Sequence, residues 1–139
     1  MPYLLDTCAL SELVAIKRDP RAVDNILRLP REELFVSSLT IGEIQDGIDH
    51  LPPCGRKDFL TSWLEHDVLR AYSNPPLPVD VILAREWGRL TASLRRRGLP
   101  MQIKDSLIAA TALVHGLQVV TRNDSDFAHA GVRIFNAWK

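Results

Sequence analysis

The sequence is poor in cysteine and has no excess of charge of either sign. Its 139 residues include two cysteines, and neither Cys8 nor Cys54 belongs to a CxxC pair or to a Cys/His spacing typical of zinc sites. This predicts reduced thiols that behave as small apolar side chains, not a disulfide framework. Lysine plus arginine equals aspartate plus glutamate at 17 each, so the formal net charge is zero. A nucleic-acid partner would need a local basic patch or a metal ion, because phosphate contacts require cations.

Long apolar runs, internal repeats and low-complexity segments are missing as well. No stretch stays apolar for long enough to span a bilayer, and Asp6 interrupts the first hydrophobic segment before it could serve as a signal peptide. These absences predict a cytoplasmic protein. The composition, 46% apolar and 24% charged, is that of an ordinary globular chain. The length predicts a single domain over residues 1–139.

Short apolar strands alternate with helices along the chain. Strands are predicted at residues 3–5, 34–37, 117–121 and 132–135, with 77–79 left open as a further short strand. Helices are predicted at residues 7–16, 19–29, 39–51, 55–69, 80–97 and 105–115. This alternation predicts an α/β fold, with a parallel sheet covered by helices on both faces. In such sheets ligands bind beyond the carboxyl ends of the strands.

Acidic residues follow several of the predicted strands. Asp6 comes directly after the first strand, Glu43 lies in the first turns of the helix after the second, and Asp105 stands at the head of the last helix. Asp124 and Asp126 follow the next strand along the chain. Each has an ordinary structural explanation taken alone, as a helix cap, a turn residue or a solvated side chain. Together they predict a cluster of carboxylates at one edge of the sheet.

Crowded carboxylates repel one another unless a cation compensates their charge. Sites rich in carboxylate oxygen and without His or Cys suit Mg²⁺, with Mn²⁺ as a substitute. A divalent ion held in this way activates water and neutralises charge on a phosphodiester. Helix N-termini at Asp6 and Asp105 would favour the ionised form of both carboxyls. The pattern therefore favours metal-dependent phosphoryl chemistry.

Four segments, taken in order, resemble the motifs of PIN-domain nucleases, and of the VapC-type toxins in particular. Residues 4–13 (LLDTCALSEL) are similar to the opening of the family, in which an Asp-Thr pair follows the first strand. Residues 40–44 (TIGEI), with Gly47 beyond, resemble the second acidic motif. Residues 105–112 (DSLIAATA) resemble the third closely, and residues 121–127 (TRNDSDF) the fourth. Residues 132–138 resemble the closing strand, so the resemblance covers essentially the whole chain.

The resemblance implies a three-layer α/β/α PIN domain with a short parallel central sheet flanked by helices. It also implies a Mg²⁺-dependent endoribonuclease, the toxin of a type II toxin–antitoxin pair, that leaves a 5′-phosphate and a 3′-hydroxyl. In that reading Asp6 and Asp105 bind the metal, Glu43 assists and Asp126 completes the cluster. The resemblance further implies a homodimer, neutralised by a cognate antitoxin whose C-terminal segment lies in the active-site groove.

Two positions depart from the family pattern. Cys8 stands where many relatives have Asn, so a hydrogen-bonding group beside the first acid is missing. The fourth acid is ambiguous because relatives place it either at the position of Asn123 or three residues later. Asp126 is therefore the first choice, and Asp124 is kept as the second. Nearby basic residues that could contact RNA phosphate are Arg122 and Lys104.

Other classes of protein fit the acidic pattern less well. A phosphotransfer receiver domain would need paired acids after its first strand and a lysine after its last, and the sequence has neither. A haloacid-dehalogenase phosphatase would need a second Asp two positions after Asp6, where Cys8 stands. The remaining alternative is a catalytically inactive PIN-like module that binds RNA or a protein partner.

Overall fold

A computed structural model describes residues 1–70 and 72–139. Its centre is a four-stranded sheet in the order β2-β1-β3-β4, and every neighbouring pair of strands is parallel. The strands are β1 (Tyr3–Leu5), β2 (Leu34–Phe35), β3 (Gln118–Val120) and β4 (Ile134–Phe135). Because all four strands run the same way, their carboxyl ends meet along one edge of the sheet.

Within the described residues, seven α-helices connect and cover the strands. They are α1 (Thr7–Glu12), α2 (Pro20–Leu27), α3 (Ser38–His50), α4 (Gly55–Ser62), α5 (Val81–Arg96), α6 (Ile103–His115) and α7 (Asp124–Phe127). A 3₁₀ turn at Arg31–Glu33 precedes β2, and a π-helical segment at Trp63–Val68 continues α4. None of the helices in the described part of the chain is both long and apolar enough to cross a membrane.

The strands bury side chains on both faces of the sheet, because neighbouring residues of a strand point to opposite sides. Leu5 and Val120 belong to a core shared with α1, α2, α3 and the π-helical segment. Leu4 and Val119 belong to a second core with α6 and α7, against which Leu90 of α5 packs. Two cores on either side of one sheet make three layers, so the predicted three-layer α/β/α fold with a short parallel central sheet is confirmed.

Several predicted boundaries are wrong. The first helix ends at Glu12 instead of residue 16, because the chain tightens into i→i−3 hydrogen bonds from Leu13 and Val14. The helix predicted over residues 55–69 changes to π-helical hydrogen bonding after Ser62. The segment 77–79, left open as a strand, makes only a single parallel bridge, between Leu77 and Ser37.

Candidate active site

A cleft of about 300 Å³ opens at the edge of the sheet where the carboxyl ends of β1 and β3 meet. Four of the five acids singled out in the sequence line it, although they come from four separate segments of the chain. Its lining residues are Asp6, Thr7, Cys8, Glu43, Gln102, Lys104, Asp105, Ile108, Asn123 and Asp126. The fifth acid, Asp124, is not among them. The parallel sheet thus brings together residues up to 120 positions apart, as the strand-end rule predicts.

Asp6 is fixed more firmly than the other acids. It is 8% exposed, and it caps α1 by accepting a hydrogen bond from the Thr7 backbone N–H to Oδ1 at 2.8 Å. Its Oδ2 accepts a second hydrogen bond, at 3.0 Å, from the hydroxyl of the fully buried Thr121. The Cys8 thiol lies 3.7 Å from the same Oδ2 and 3.5 Å from the Thr121 hydroxyl. These contacts aim one carboxylate edge of Asp6 at the cleft.

Cys8 supplies the hydrogen-bonding group that the sequence comparison with Asn-bearing relatives suggested was missing. Burial raises the pKa of the Cys8 thiol, although the hydrogen bond with Thr121 lowers it in part. A protonated thiol is a weak donor, and here it points at Asp6. The expectation that Cys8, in place of Asn, leaves the first acid without a hydrogen-bonding group at this position is therefore wrong.

Glu43 lies in the second turn of α3 and is held by two neighbours. The Thr7 hydroxyl donates to Oε1 at 3.2 Å, and the Lys104 ammonium lies 3.7 Å from Oε2. The first contact joins α3 to the end of β1, and the second joins it to α6. Lys104 is the one lysine or arginine that lines the cleft within the described residues.

Asp105 is not the N-cap of its helix. The helix α6 begins at Ile103 with Gln102 in the cap position, so Asp105 lies in the first turn. Burial raises the pKa of the Asp105 carboxyl, and three neighbouring acids raise it further; in order of effect these are Asp126, Asp6 and Glu43. Burial is the larger cause, and the three acids add to it because their negative charge disfavours the ionised form of Asp105.

The loop after β3 separates the two candidates for the fourth acid. Asp126 lies on α7 and lines the cleft. Asp124 instead accepts hydrogen bonds from Asn136 and Lys139, both at 2.8 Å. The contact with Lys139, followed by that with Asn136, holds the pKa of the Asp124 carboxyl below its usual range. The catalytic role of either acid stays a prediction, but only Asp126 joins the cluster.

Phe127 anchors this loop in the core, where it is 1% exposed. The Asn123 side chain, at the cap position of α7, makes no capping hydrogen bond. Its backbone N–H instead donates to the Thr121 hydroxyl at 3.2 Å.

Of the two basic residues predicted to contact RNA, the structure brings only Lys104 into the cleft. The guanidinium of Arg122 lies over the Trp138 ring, 5.5 Å from its centroid, and Arg122 does not line the cleft. Residues that the sequence did not single out are Thr121, which bridges Asp6 and the loop, and Gln102 at the start of α6. Thr121 follows β3 as Asp6 follows β1, and that position could have identified it.

The lining residues fit a hydrated divalent cation. Within residues 1–70 and 72–139, no three His, Cys, Asp or Glu side chains are close enough to form a ready-made metal cage. Mg²⁺ does not require one, because it keeps several waters and is usually bound by one or two carboxylates. The donors are carboxylate oxygens from four acids that line one cleft, which is the ligand type that Mg²⁺ prefers. Asp6 and Asp105 are the residues that would hold the ion.

A second, apolar groove of about 380 Å³ adjoins the cleft, and the two share Thr7 and Glu43. It runs between the segment after α1, one face of α3 and the helical stretch that includes Trp63. Its lining residues are Thr7, Ser11, Val14, Ile16, Glu43, Ile44, Gly47, Ile48, Leu51, Arg56, Leu60 and Trp63. Ile16 is 83% exposed at its rim, where it extends the apolar lining of the groove to the surface.

Known proteins resemble this chain over nearly its whole length. Residues 3–132 match the PIN domain family. The VapC ribonuclease Y4jK of Sinorhizobium fredii is 34% identical over 136 residues, covering 98% of this chain and 97% of that protein. The toxin FitB of Neisseria gonorrhoeae is 31% identical, with 97% of each chain covered. A solved structure of FitAB bound to an IR36 DNA fragment has a TM-score of 0.93 at 29% identity, covering 99% of this chain and 96% of that one.

Proposed function

The chain belongs to the PIN domain family, and from that premise we propose that it is a metal-dependent endoribonuclease, the toxin of a type II toxin–antitoxin pair. The observation that carries the proposal is the convergence of Asp6, Glu43, Asp105 and Asp126 on one cleft. The relatives named as a VapC ribonuclease and as a toxin support the same class of activity.

Each side chain of the cleft has its own role in the proposed cleavage, and the roles follow from how firmly each one is held. Asp6, fixed by the Thr7 backbone and the Thr121 hydroxyl, is aimed before any ligand arrives. Asp105 lies in the same cleft, and its negative charge would be neutralised by a bound cation. Mg²⁺ or Mn²⁺, when bound by these two acids, supplies an activated water and offsets charge on the phosphodiester. Glu43 and Asp126 complete the acidic field that orients the attacking water, and the products carry a 5′-phosphate and a 3′-hydroxyl.

Lys104 is the residue that would meet the RNA phosphate. It lines the cleft, it is 72% exposed, and its ammonium is within reach of the carboxylates that surround the reacting group. A single lysine gives a modest contribution to RNA affinity, because each phosphate contact releases about one counterion. With a net charge of zero, the chain has no bulk attraction for RNA to add to it.

The decisive test is the variant Asp105→Asn, assayed for cleavage of total RNA with Mg²⁺ or Mn²⁺. Asp105 makes no side-chain hydrogen bond in the described residues, so its neutralisation leaves the fold intact and removes one ligand. Cleavage should fall by about 10²-fold or more, as for loss of a few kcal/mol of transition-state stabilisation. Asp124→Asn is the matched control, because it removes the same charge outside the cleft.

Full activity in Asp105→Asn would overturn the proposal. A wild type that binds RNA but never cleaves it would favour the inactive binding module.

The proposed partner is a cognate antitoxin that occupies the apolar groove beside the cleft. Solved toxin–antitoxin complexes share this fold, and the groove is continuous with the acids through Thr7 and Glu43. An amphipathic segment laid along it would bury Ile16 and cover the entrance to the cleft. Ile16→Glu should abolish neutralisation by the antitoxin encoded beside this chain. Leu27→Glu, which places the same charge at another exposed apolar site, outside the groove, should not. Equal neutralisation of both variants would exclude the groove.

A homodimer completes the proposal. Val79, Val81 and Ile82, at the start of α5, are 41%, 74% and 68% exposed, which leaves a short apolar surface without a partner in the chain. We propose that a second copy of the chain covers this surface. Sedimentation, which measures the mass of the protein in solution, tests this.

A further inference from the structure

The acids of the cleft also form one wall of a second cavity. This cavity of about 220 Å³ shares Gln102, Asp105 and Asp126 with the active-site cleft and lies on the far side of them. Its remaining lining comes from the turn between α5 and α6 and from the α7 region: Leu99, Pro100, Met101, Ser125 and His129. Anything bound there would lie directly beside the atoms at which RNA is cut.

The chemistry of the lining selects against a phosphate. Two carboxylates stand at the junction with the cleft, and His129 is the one residue of the lining that can carry positive charge. The lining has no lysine or arginine that could pair with a further phosphate, whereas an uncharged, planar group needs no such partner. The cavity is also smaller than the roughly 300–1,000 Å³ that drug-sized ligands occupy, so it suits one small ring system. Leu99, Pro100 and Met101 give it an apolar side against which such a ring could pack.

We infer that this cavity is a base pocket, which receives the nucleobase next to the scissile phosphodiester and selects it by its polar edge. The inference rests on the proposed ribonuclease function, because it names what that site recognises. Single-stranded RNA is the substrate class that fits, since only an unpaired base can turn into a side pocket and expose its Watson–Crick edge.

Gln102 makes the main base-specific hydrogen bonds in this pocket. Its amide carries both donors and an acceptor, and although it occupies the cap position of α6 it makes no capping hydrogen bond. It is exposed and borders both the pocket and the cleft. The Ser125 hydroxyl and the His129 ring add adaptable contacts, and the two carboxylates accept hydrogen bonds from amino groups. The pocket therefore favours adenine, cytosine or guanine, which carry an exocyclic amino group, over uracil, which carries none.

The first arm of the test maps cleavage in a pool of randomised single-stranded RNA. Wild type should discriminate against uridine at one position next to the cut. Gln102→Ala should reduce that discrimination by about tenfold, in line with the loss of one bidentate base contact, and His129→Ala should reduce it less. Gln45→Ala and His115→Ala are matched controls, because both residues are exposed and line neither cavity. An unchanged sequence profile in Gln102→Ala would overturn the inference while leaving the ribonuclease proposal standing.

The second arm measures binding without cleavage. Short RNAs that differ in one base are titrated into the wild type and into Gln102→Ala with a chelator present, and fluorescence anisotropy reports affinity. Base discrimination that is present in wild type and lost in Gln102→Ala would support the pocket even if the chain cleaves nothing, which separates the two proposals. Equal affinity of wild type for all four bases would count against it.

Discussion

At the scale of single residues, the two acids two positions apart on α7 have opposite surroundings. Asp126 faces the cleft, while Asp124 is engaged by Asn136 and Lys139. Asp126→Ala should reduce RNA cleavage on the order of 10²-fold, because a charged group is lost from a phosphoryl-transfer site. Asp124→Ala should cleave like wild type. Initial rates on one RNA, measured at saturating Mg²⁺, compare them directly.

The stability of the same two variants provides the control. Asp124 is stabilised in its charged form, so Asp124→Ala should melt at a lower temperature than wild type at neutral pH, whereas Asp126→Ala should not. The reverse order of cleavage rates would transfer the role to Asp124. Near-wild-type rates in both would leave a site of three carboxylates.

We expect Lys104 to oppose the binding of a metal ion in the cleft, because its ammonium adds positive charge beside Glu43. Its ammonium lies 3.7 Å from Oε2 of Glu43, so a cation arriving there must displace it or share the carboxylate. Lys104→Gln should therefore bind Mn²⁺ up to about fivefold more tightly, since an exposed ion pair is worth roughly 0–1 kcal/mol. The same variant should bind RNA more weakly and with a salt dependence reduced by about one counterion. Calorimetry with Mn²⁺ and anisotropy with RNA measure the two effects.

Arg28→Gln is the control for Lys104→Gln, because Arg28 is exposed and lines neither the cleft nor the groove. It should leave both affinities as in wild type. A Lys104→Gln variant that loses affinity for Mn²⁺ and RNA together would show that Lys104 supports the site structurally and does not compete for it.

At the scale of elements, the end of β3 is tied to the end of β1 through one hydroxyl. Thr121 donates to Asp6 and accepts from the backbone N–H of Asn123, which leads into α7. Thr121→Val should lower the free energy of unfolding by about 1–3 kcal/mol, because buried polar groups lose their partner. It should also lower kcat with little change in KM, since Asp6 and α7 lose their common support.

Thr121→Ser separates positioning from packing. It keeps the hydroxyl and loses one methyl group, at a cost of about 1 kcal/mol in stability, and should restore most of kcat. Denaturant melts and steady-state kinetics on the three proteins give the comparison. Equal kcat values in Thr121→Val and wild type would show that the hydroxyl only stabilises the fold.

The elements themselves divide into those that sequence periodicity predicts and those that it does not. The four strand positions, the N-cap Asp80 and the buried helix α6 follow from apolar patterns and capping residues alone. The start of α6 was placed two residues late, because Asp105 is a better capping residue than Gln102 and propensity rules favour it. The π-helical segment depends on a hydrogen bond from Leu69 to Leu64, which no local pattern encodes.

The candidate site, like the fold, was predictable from the sequence only where it depends on local features. Strand ends identified its acids, since the position of an acid after a strand is a local property. The choice between Asp126 and Asp124 depends on Asn136 and Lys139, which are distant in the sequence. The role of Lys104 beside Glu43 likewise depends on how α6 packs against α3. Such contacts are set by tertiary packing, and no spacing rule reveals them.

At the scale of the whole molecule, a chain of zero net charge concentrates part of its negative charge in one cleft. A divalent ion that binds the folded chain should therefore stabilise it. At about 100 times the dissociation constant, linkage predicts a gain of roughly 2.7 kcal/mol, which is several degrees in Tm for a chain of this size. Differential scanning fluorimetry with Mn²⁺ should show this rise in wild type and a smaller one in Asp105→Asn. A Tm unmoved by millimolar Mn²⁺ would contradict a metal site.

Without metal, the same cleft should make the folded chain less stable as the pH rises. The pKa of Asp105 is raised in the folded state, so between its unfolded and folded values the native chain binds more protons than the unfolded chain. Stability from this group is fully present below the unfolded pKa and is lost as the pH rises through the folded value. The Asp105→Asn variant lacks the ionisable group and so does not lose stability in this way as the pH rises. Its Tm should therefore exceed that of wild type at neutral pH in the presence of a chelator.

The difference in Tm between Asp105→Asn and wild type isolates this group from the others. Asp124 has the opposite dependence, because its pKa is lowered and its stabilisation disappears at acid pH, but it is present in both proteins and cancels. The difference should therefore shrink towards zero as the pH falls below the ordinary range of a carboxyl, and it should reverse sign when Mn²⁺ is added at neutral pH. A difference that is constant with pH would mean that Asn changes packing and not charge. A difference that grows on acidification would contradict the crowding of acids in the cleft.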